Sequence, residues 1–409
     1  MKYLSICIPN YNRLEKLEKL IHSCATQITN SLLVQEVEIC ISDDCSPEAP
    51  SDMIARMQKT YPDISFRYVR NEVNKGMDYN FLNSVLISNS LYCWIIGNDD
   101  LPEENSILQV VTYLKSKSEQ IDILITPFNV YAEDDEYRTT VYPFGNTGNE
   151  TLFFDTEIAS EYRNLIKNVQ HNSALFGFLS NVVFKRENWK KYEERFQDKL
   201  NTIFIQMYMN IQTLEDGAKV EYVPWKMIRN YADDETNSSI DRICKILFGL
   251  DGVVEYFFQG REREYLKRVI VDAYISGIVW ELPDEHEYKK RVRKVVSGKN
   301  FLYEKYFVPI ERRKHFFEGK NVIIYGAGNY GRKVYNELKD YKACLDAVVD
   351  SDERKWGSQF EEHVIESIGN VMEIYCKNEA YVIVASYFGV EEMVHTLWKN
   401  NVERIAIIT

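Results

Sequence analysis

The sequence predicts an α/β protein: a large parallel-sheet domain, a helical connector, and a second, smaller parallel-sheet domain. Three observations lead there. Short apolar runs alternate with helix-period stripes from residue 4 to 125. Residues 240–318 read as helices throughout, with Ile243, Ile246, Leu247 and Leu250 forming one amphipathic stripe. From Asn321 the strand–helix alternation starts afresh, and Gly326-x-Gly328-x-x-Gly331 follows its first strand. A length of 409 residues fits two or three folding units, with boundaries expected at 1–238, 239–318 and 319–409.

In the first block, the run at 4–9 (LSICIP) is a strand, and Leu14, Leu17, Leu20 and Ile21 give the helix after it. Residues 37–42 (VEICIS) form the second strand, stopped by Asp43-Asp44-Cys45-Ser46-Pro47. A helix near 51–61 leads to a strand at 64–69, and Phe81, Val85 and Leu86 continue a helix into the strand 92–96. Val110, Val111 and Leu114 mark a further helix before the strand 121–125. Strands so spaced build a parallel sheet whose ligands gather at the carboxyl ends. Residues 126–238 are less regular, with an apolar run at 174–184, a helix at 204–214, and an edge strand at 220–223 ended by Pro224.

Composition excludes several classes. The chain is 45% hydrophobic and 27% charged, which is ordinary for a water-exposed globular protein. A net charge of −13 argues against nucleic acid as a partner. The opening residues lack the apolar core of a secretory leader, and no apolar run reaches the roughly 18 residues of a membrane span. The eight cysteines form no C-x-x-C pair, so reduced thiols in a cytoplasmic setting are expected.

Two carboxylate pairs stand at strand ends, Asp43-Asp44 after the second and Asp99-Asp100 within Gly97-Asn98-Asp99-Asp100 after the fourth. Between them lies the polar loop Asn71-Glu72-Val73-Asn74-Lys75-Gly76. Asp43 can accept the imide N–H of a uracil or thymine ring. Asp99 and Asp100 offer the oxygens a hard divalent cation prefers while it bridges a diphosphate. The competing reading is that each pair caps a helix.

Taken in order, SICIPNYNR, ISDDCS, N-x-x-N-K-G and WIIGNDD resemble the family-2 glycosyltransferases of the GT-A fold, in particular the abequosyltransferase-like branch. The resemblance covers roughly residues 1–238. It implies that Pro9, Tyr11 and Arg13 lie beside the nucleotide, that Asp43 reads the base, and that Lys75 and Gly76 sit near the ribose or diphosphate. Asn98 and Asp99 would contact the donor, and Asp99 with Asp100 would hold Mn²⁺ or Mg²⁺. The sequence departs from the family at Gly97, where many members carry the first Asp of their metal motif. It departs again at Ile203 and Phe204, which fall where the family carries a Glu-Asp pair that deprotonates the acceptor. An inverting displacement still needs a general base; Asp198 is the first candidate and His171 the second, each also readable as surface or loop polarity. Arg229-Asn230-Tyr231 and Asn237-Ser238 resemble the family's closing segment near the diphosphate.

The last block, 319–409, resembles small Rossmann-like domains appended to bacterial sugar-modifying enzymes. Gly326, Gly328, Gly331 and Asp350, which ends the next strand, mark a second nucleotide-like site. The alternative is a module kept for packing or assembly. Residues 286–320 hold 11 Lys/Arg against four Glu, interleaved with Tyr288, Phe301, Tyr303, Tyr306, Phe307, Phe316 and Phe317. That stretch reads either as a solvated linker or as a contact with an anionic membrane surface. The expected partners are a nucleotide-sugar donor and a glycan or lipid-linked acceptor, in surface-polysaccharide synthesis at the inner face of a bacterial membrane; self-association is also expected. The rival functions are an NAD(P)-dependent sugar-nucleotide oxidoreductase or epimerase, and a non-catalytic assembly protein with a decayed transferase site.

Overall fold

The computed structural model describes residues 1–408 except 118–119, 133, 232–238, 272–278, 281, 296–301, 303–304 and 387–388. Asn237 and Ser238 of the closing segment, and Phe301 and Tyr303 of the basic stretch, thus lie outside the described residues. The chain forms two compact units, Met1–Ile270 and Val271–Thr409.

The first unit opens with β1 (Lys2–Asn10), α1 (Leu14–Asn30), β2 (Val37–Asp43), α2 (Ser51–Thr60), β3 (Ser65–Arg70), α3 (Met77–Leu86) and β4 (Ser90–Ile95). These strands lie parallel in the order β3-β2-β1-β4. β1 and β2 read as continuous apolar runs because helices cover both sheet faces; every residue of β2 is buried. The helical stripe of α1 (Leu17, Leu20, Ile21, Cys24, Ala25, Ile28) supplies part of that cover. Strand order reverses at β1, so a crevice opens beyond the carboxyl ends of β1 and β4, the usual ligand position in such sheets.

There follow β5 (Asp100–Pro102), α4 (Ser106–Ser116), β6 (Ile123–Ile125), β7 (Phe128–Tyr131), β8 (Tyr137–Val141), β9 (Leu152–Asp155), α5 (Ala159–Asn168), β10 (Val182–Lys185), α6 (Arg186–Tyr192), α7 (Ile205–Glu215), β11 (Lys219–Tyr222) and β12 (Ile228–Tyr231). Helices α8 (Ile240–Phe257) and α9 (Gly260–Leu266) complete the unit. The main sheet has eight strands in the order β3-β2-β1-β4-β10-β6-β11-β9, and a four-stranded sheet β5-β12-β7-β8 stands beside it. The strand expected at the edge, β11, is internal: it pairs parallel with β6 and antiparallel with β9. Pro224 lies past its end and so costs no ladder bond, while the short run LFFD of β9 takes the edge.

In the second unit, β13 (Asn321–Tyr325), β14 (Cys344–Val349), β15 (Gln359–Phe360), β16 (His363–Glu366), β17 (Tyr381–Ala385) and β18 (Ile405–Ile408) form one sheet in the order β15-β16-β14-β13-β17-β18. Among the described residues of this sheet, only β15 runs antiparallel to its neighbour. Helix Asn329–Asp340 packs Val334 and Leu338 onto Val322, Ile324, Val348 and Ile383. Much of the basic, aromatic stretch is spent inside this unit. Arg313 is buried and donates to the Val308 carbonyl and to Glu337. Lys289 donates to the carbonyls of Trp280 and Leu282, and Lys320 lies 3.9 Å from the Phe316 ring centre. Phe317 is fully buried in the core. No helix of the described residues is long and apolar enough to cross a membrane, and all eight cysteines are free thiols.

Candidate functional site

Register, not proximity in sequence, assembles the site. β1 pairs with β2 so that Asn10 faces Asp43, and β2 pairs with β3 so that Asp43 faces Arg70. Three polar side chains therefore stand level at three adjacent strand ends. Asp43 is fully buried and accepts from Asn10 Nδ2 at 2.7 Å, from the Ser46 N–H at 3.1 Å and from the Ser46 hydroxyl. Arg70 pairs with Asp43 Oδ2, the oxygen that also accepts the Ser46 N–H, at 3.4 Å. Asn10 Oδ1 in turn accepts from Asn98 Nδ2 at 2.7 Å, which carries the chain to the end of β4. Asn98 Oδ1 accepts from Arg13 at 3.4 Å, and Arg13 forms an ion pair with Asp99. Arg70, Asp43, Asn10, Asn98, Arg13 and Asp99 thus form one polar chain across the carboxyl edge of the sheet.

The Asp99-Asp100 pair splits in two directions. Asp99 Oδ2 faces Arg13, while its Oδ1 lies 2.8 Å from where a Cβ at position 97 would sit. Glycine there leaves the space above the carboxylate open. Asp100 is buried, accepting from Ser180 at 2.5 Å and Asn230 Nδ2 at 2.8 Å. Burial, reinforced by the Asp99 charge, pushes its carboxyl well above the ordinary range. Asp100 is enclosed by its hydrogen bonds, while Asp99 keeps a part-exposed carboxylate open to a cation. Lys16 and Lys19 of α1 and Tyr231 of β12 line a cleft with Asp99, and Lys19 lies 5.2 Å from the Tyr231 ring centre.

The neighbouring loop is organised by Asp44. Its carboxylate accepts from Asn71 Nδ2 and from the N–H groups of Lys75 and Gly76, each at 2.8 Å. Gly76, whose N–H is one of these donors, holds φ +91°, a conformation that suits glycine. Two residues on, Asp78 is buried at the start of α3 and accepts the N–H groups of Ile203 at 2.8 Å and Ile205 at 3.3 Å. Burial pushes its carboxyl above the ordinary range despite these bonds. Ile203 sits at φ +64°, a strained state for a β-branched residue, so Asp78 clamps the segment where the family resemblance places its Glu-Asp pair.

The other expected residues are distributed as follows. Pro9 is buried in β1, and Tyr11 is 47% exposed in the loop after it. Lys75 reaches the Tyr79 hydroxyl at 3.0 Å. Asp198 lies on the exposed turn Gln197–Lys199, ion-paired with Lys199 at 2.8 Å, and this hydrogen-bonded partner lowers its carboxyl further. His171 caps the 3₁₀ turn Asn172–Leu175 by accepting the Ser173 N–H at 3.2 Å. None of the described hydrogen bonds of Asp198 or His171 joins the polar chain at the sheet edge.

Burial lowers His171 to about 4 from an ordinary 6.5. Between these values the unfolded chain binds the extra proton, so stability rises with pH from about 4 to 6.5 and is lost on acidification through that window. His171→Asn keeps a capping oxygen without the titration. The variant is expected to lose less melting temperature than wild type between pH 7 and pH 5, measured by thermal unfolding.

In the second unit the carboxyl ends of β13, β14 and β17 frame a cleft that includes Gly326, Gly328, Asn329, Asp350 and Lys355. The three glycines differ in kind. A Cβ at Gly331 would lie 1.9 Å from the Gly326 carbonyl oxygen, and one at Gly326 would lie 2.5 Å from that of Ala385, whereas one at Gly328 would meet nothing within 4 Å. Packing thus accounts for the outer two and leaves Gly328 facing the cleft. Asp350 accepts from the Ala327 N–H at 2.8 Å, the Asp352 N–H at 2.9 Å and Lys355 Nζ at 2.9 Å. Its carboxylate is therefore occupied in tying the glycine turn to β14.

The GT-A resemblance implies a divalent cation, and the donor set fits one in a sparse mode. Asp99 offers a part-exposed carboxylate above the Gly97 cradle, and such ions commonly take one or two carboxylates with phosphate oxygens and water completing the shell. Among the described residues no cluster of three His, Cys, Asp or Glu side chains stands ready to hold a metal. Sequence reasoning missed Asn10, Ser46, Arg70 and Ser180, which position the acids. The available signals were the Asn within P-N-Y-N and an arginine directly ending the third strand.

Residues 5–191 match the family model described as glycosyl transferase family 2, and residues 317–409 match the one described as CoA binding domain. Abequosyltransferase RfbV of Salmonella typhimurium is 35% identical over 191 residues, 46% of this chain and 54% of that protein. The chain therefore matches about half the length of this curated relative. Solved structures with similarity include S. aureus TarS 1–349, at TM-score 0.48 and 12% identity over 78% of each chain. Another is the mannosyltransferase PcManGT of Pyrobaculum calidifontis in complex with GDP-Man and Mn²⁺, at TM-score 0.45 and 10% identity over 83% of this chain and 84% of that one. The first unit thus carries a domain that matches glycosyl transferase family 2, and the second carries a Rossmann-like domain that matches the CoA binding domain.

Proposed function

We propose that the first unit transfers a sugar from a nucleotide-diphosphate donor to a glycan or lipid-linked saccharide, with inversion, in surface-polysaccharide synthesis. The observation that carries this reading is the polar chain from Arg70 to Asp99, strung across the strand ends beside a cation-lined cleft. Pro9 and Tyr11 flank the base, with Asp43 holding that end of the site in place. Lys75 and Gly76 approach the ribose and diphosphate from a loop whose shape Asp44 sets. Asp99 would hold the divalent cation, whose charge offsets that of the departing nucleoside diphosphate. Arg13, Lys16 and Lys19 add positive charge at the same edge. Asp198 keeps an exposed, ionised carboxylate able to accept the acceptor's proton, whereas the Nδ1 of His171 is engaged in its cap. Gly326 and Gly328 with Asp350 line a second cleft that could take a nucleotide, for which Gly328 is the residue that packing does not explain.

A thermal-shift screen of UDP-, CDP-, TDP- and GDP-sugars with Mn²⁺ and with EDTA tests this reading, followed by turnover on any that bind. One nucleotide class is expected to stabilise the protein and to be consumed in the presence of Mn²⁺. Binding without hydrolysis or transfer would favour a non-catalytic assembly role, and no binding by any of the four would sink the transferase reading.

A further inference from the structure

We propose that Arg13 is the resident counter-ion of Asp99, and that an entering divalent cation must displace it. The inference rests on the transferase reading for the identity of the ligands, but its test does not require turnover. Arg13 lies just ahead of α1 and reaches across the crevice to touch both Asn98 and Asp99. The pair is about one-third exposed on each side (32% and 30%), so water screens it only in part. A guanidinium on Oδ2 and a hydrated cation on the same carboxylate compete for one charge. Lys16 and Lys19 line the cleft on which Asp99 opens, and their charge further opposes a cation arriving alone.

An anion reverses this balance. A diphosphate offers Arg13 a planar, bidentate partner, for which the guanidinium geometry is well suited. With the side chain drawn onto the diphosphate, Asp99 is released to the cation. The device therefore makes cation binding weak in the empty protein and couples it to the arrival of a diphosphate. Because such coupling is a difference of binding free energies, it is reciprocal.

The test uses the full chain with two separate probes: Mn²⁺ alone, followed by electron paramagnetic resonance, and inorganic pyrophosphate alone, followed by calorimetry. Arg13→Gln is expected to bind Mn²⁺ about tenfold more tightly than wild type and pyrophosphate about tenfold more weakly, shifts of opposite sign and about 1.4 kcal/mol each. Arg13→Lys, which keeps the charge, should stay near wild type for Mn²⁺, and Asp99→Asn should lose the Mn²⁺ site in either background. Equal Mn²⁺ affinity in wild type and Arg13→Gln would overturn the proposal, as would a loss of both ligands together, the signature of a merely disordered site. Donor turnover by wild type, measured separately, keeps the two readings apart. Turnover with an unresponsive Arg13→Gln sinks the counter-ion alone, and opposite shifts without turnover for any donor sink the transferase reading alone.

Discussion

Asp99→Ala is expected to lower sugar transfer at least a hundredfold while leaving the protein folded. The carboxylate is part-exposed, and its one described ion pair is with Arg13, which keeps Asn98 as a second partner. An exposed or half-exposed pair is worth about 0–1 kcal/mol, so the melting temperature should move by only a few degrees at most. Catalysis stands differently, since Asp99 would hold the cation that offsets the charge of the departing diphosphate, and losing one such electrostatic support costs roughly 10²–10³ in kcat. The measurement is donor consumption and product formation with Mn²⁺, beside thermal unfolding of the same preparation. Full activity in the variant, or undiminished wild-type activity in EDTA, would remove Asp99 from the cation-binding role.

The second large effect concerns stability. Gly331→Ala would place a methyl carbon 1.9 Å from the Gly326 carbonyl oxygen. Neither side can yield cheaply, because the obstacle is backbone, and the Gly326 turn is itself held against Ala385 and tied to Asp350 through Ala327. The expected cost is about 3 kcal/mol or more, at the upper end of overpacking penalties. Calorimetry of the whole chain should show a marked loss of stability. Gly328→Ala, with open space around its Cβ and an extended backbone, should leave unfolding unchanged. A Gly331 variant as stable as wild type would show that the helix Asn329–Asp340 sits farther from β13 than described.

Much of this architecture was legible before any coordinates. Period-two and period-3.6 patterns located the strands and helices of both sheets, because burial on one or two faces writes itself into the order of apolar residues. The acids at 43, 44, 99 and 100 stood out because two carboxylate pairs fall at the carboxyl ends of strands of one parallel sheet. Their division of labour was not legible. Asp44 shapes the 71–76 loop through backbone N–H groups, Asp78 clamps the strained turn at Ile203, and Asp100 is buried between Ser180 and Asn230. Each partner lies tens of residues away, and no local pattern records it. The same holds for β11, which looked like an edge until β9 paired with it. It also holds for Lys289 and Arg313, whose charges read as surface until the second unit enclosed them.

The sequence by itself determined the class of fold, the two sheet blocks, and which strand ends carry paired carboxylates, since periodicity and turn residues are properties of neighbouring positions. Only the tertiary structure decided that Asn10, Asp43 and Arg70 stand level, that Arg13 rather than a second acid faces Asp99, and that Gly328 alone of its motif has open space where a Cβ would sit. The physical reason is register: a shift of one residue between β1 and β2 turns every side chain to the opposite face of the sheet. That choice is made by the packed core as a whole and is written at no single position of the chain.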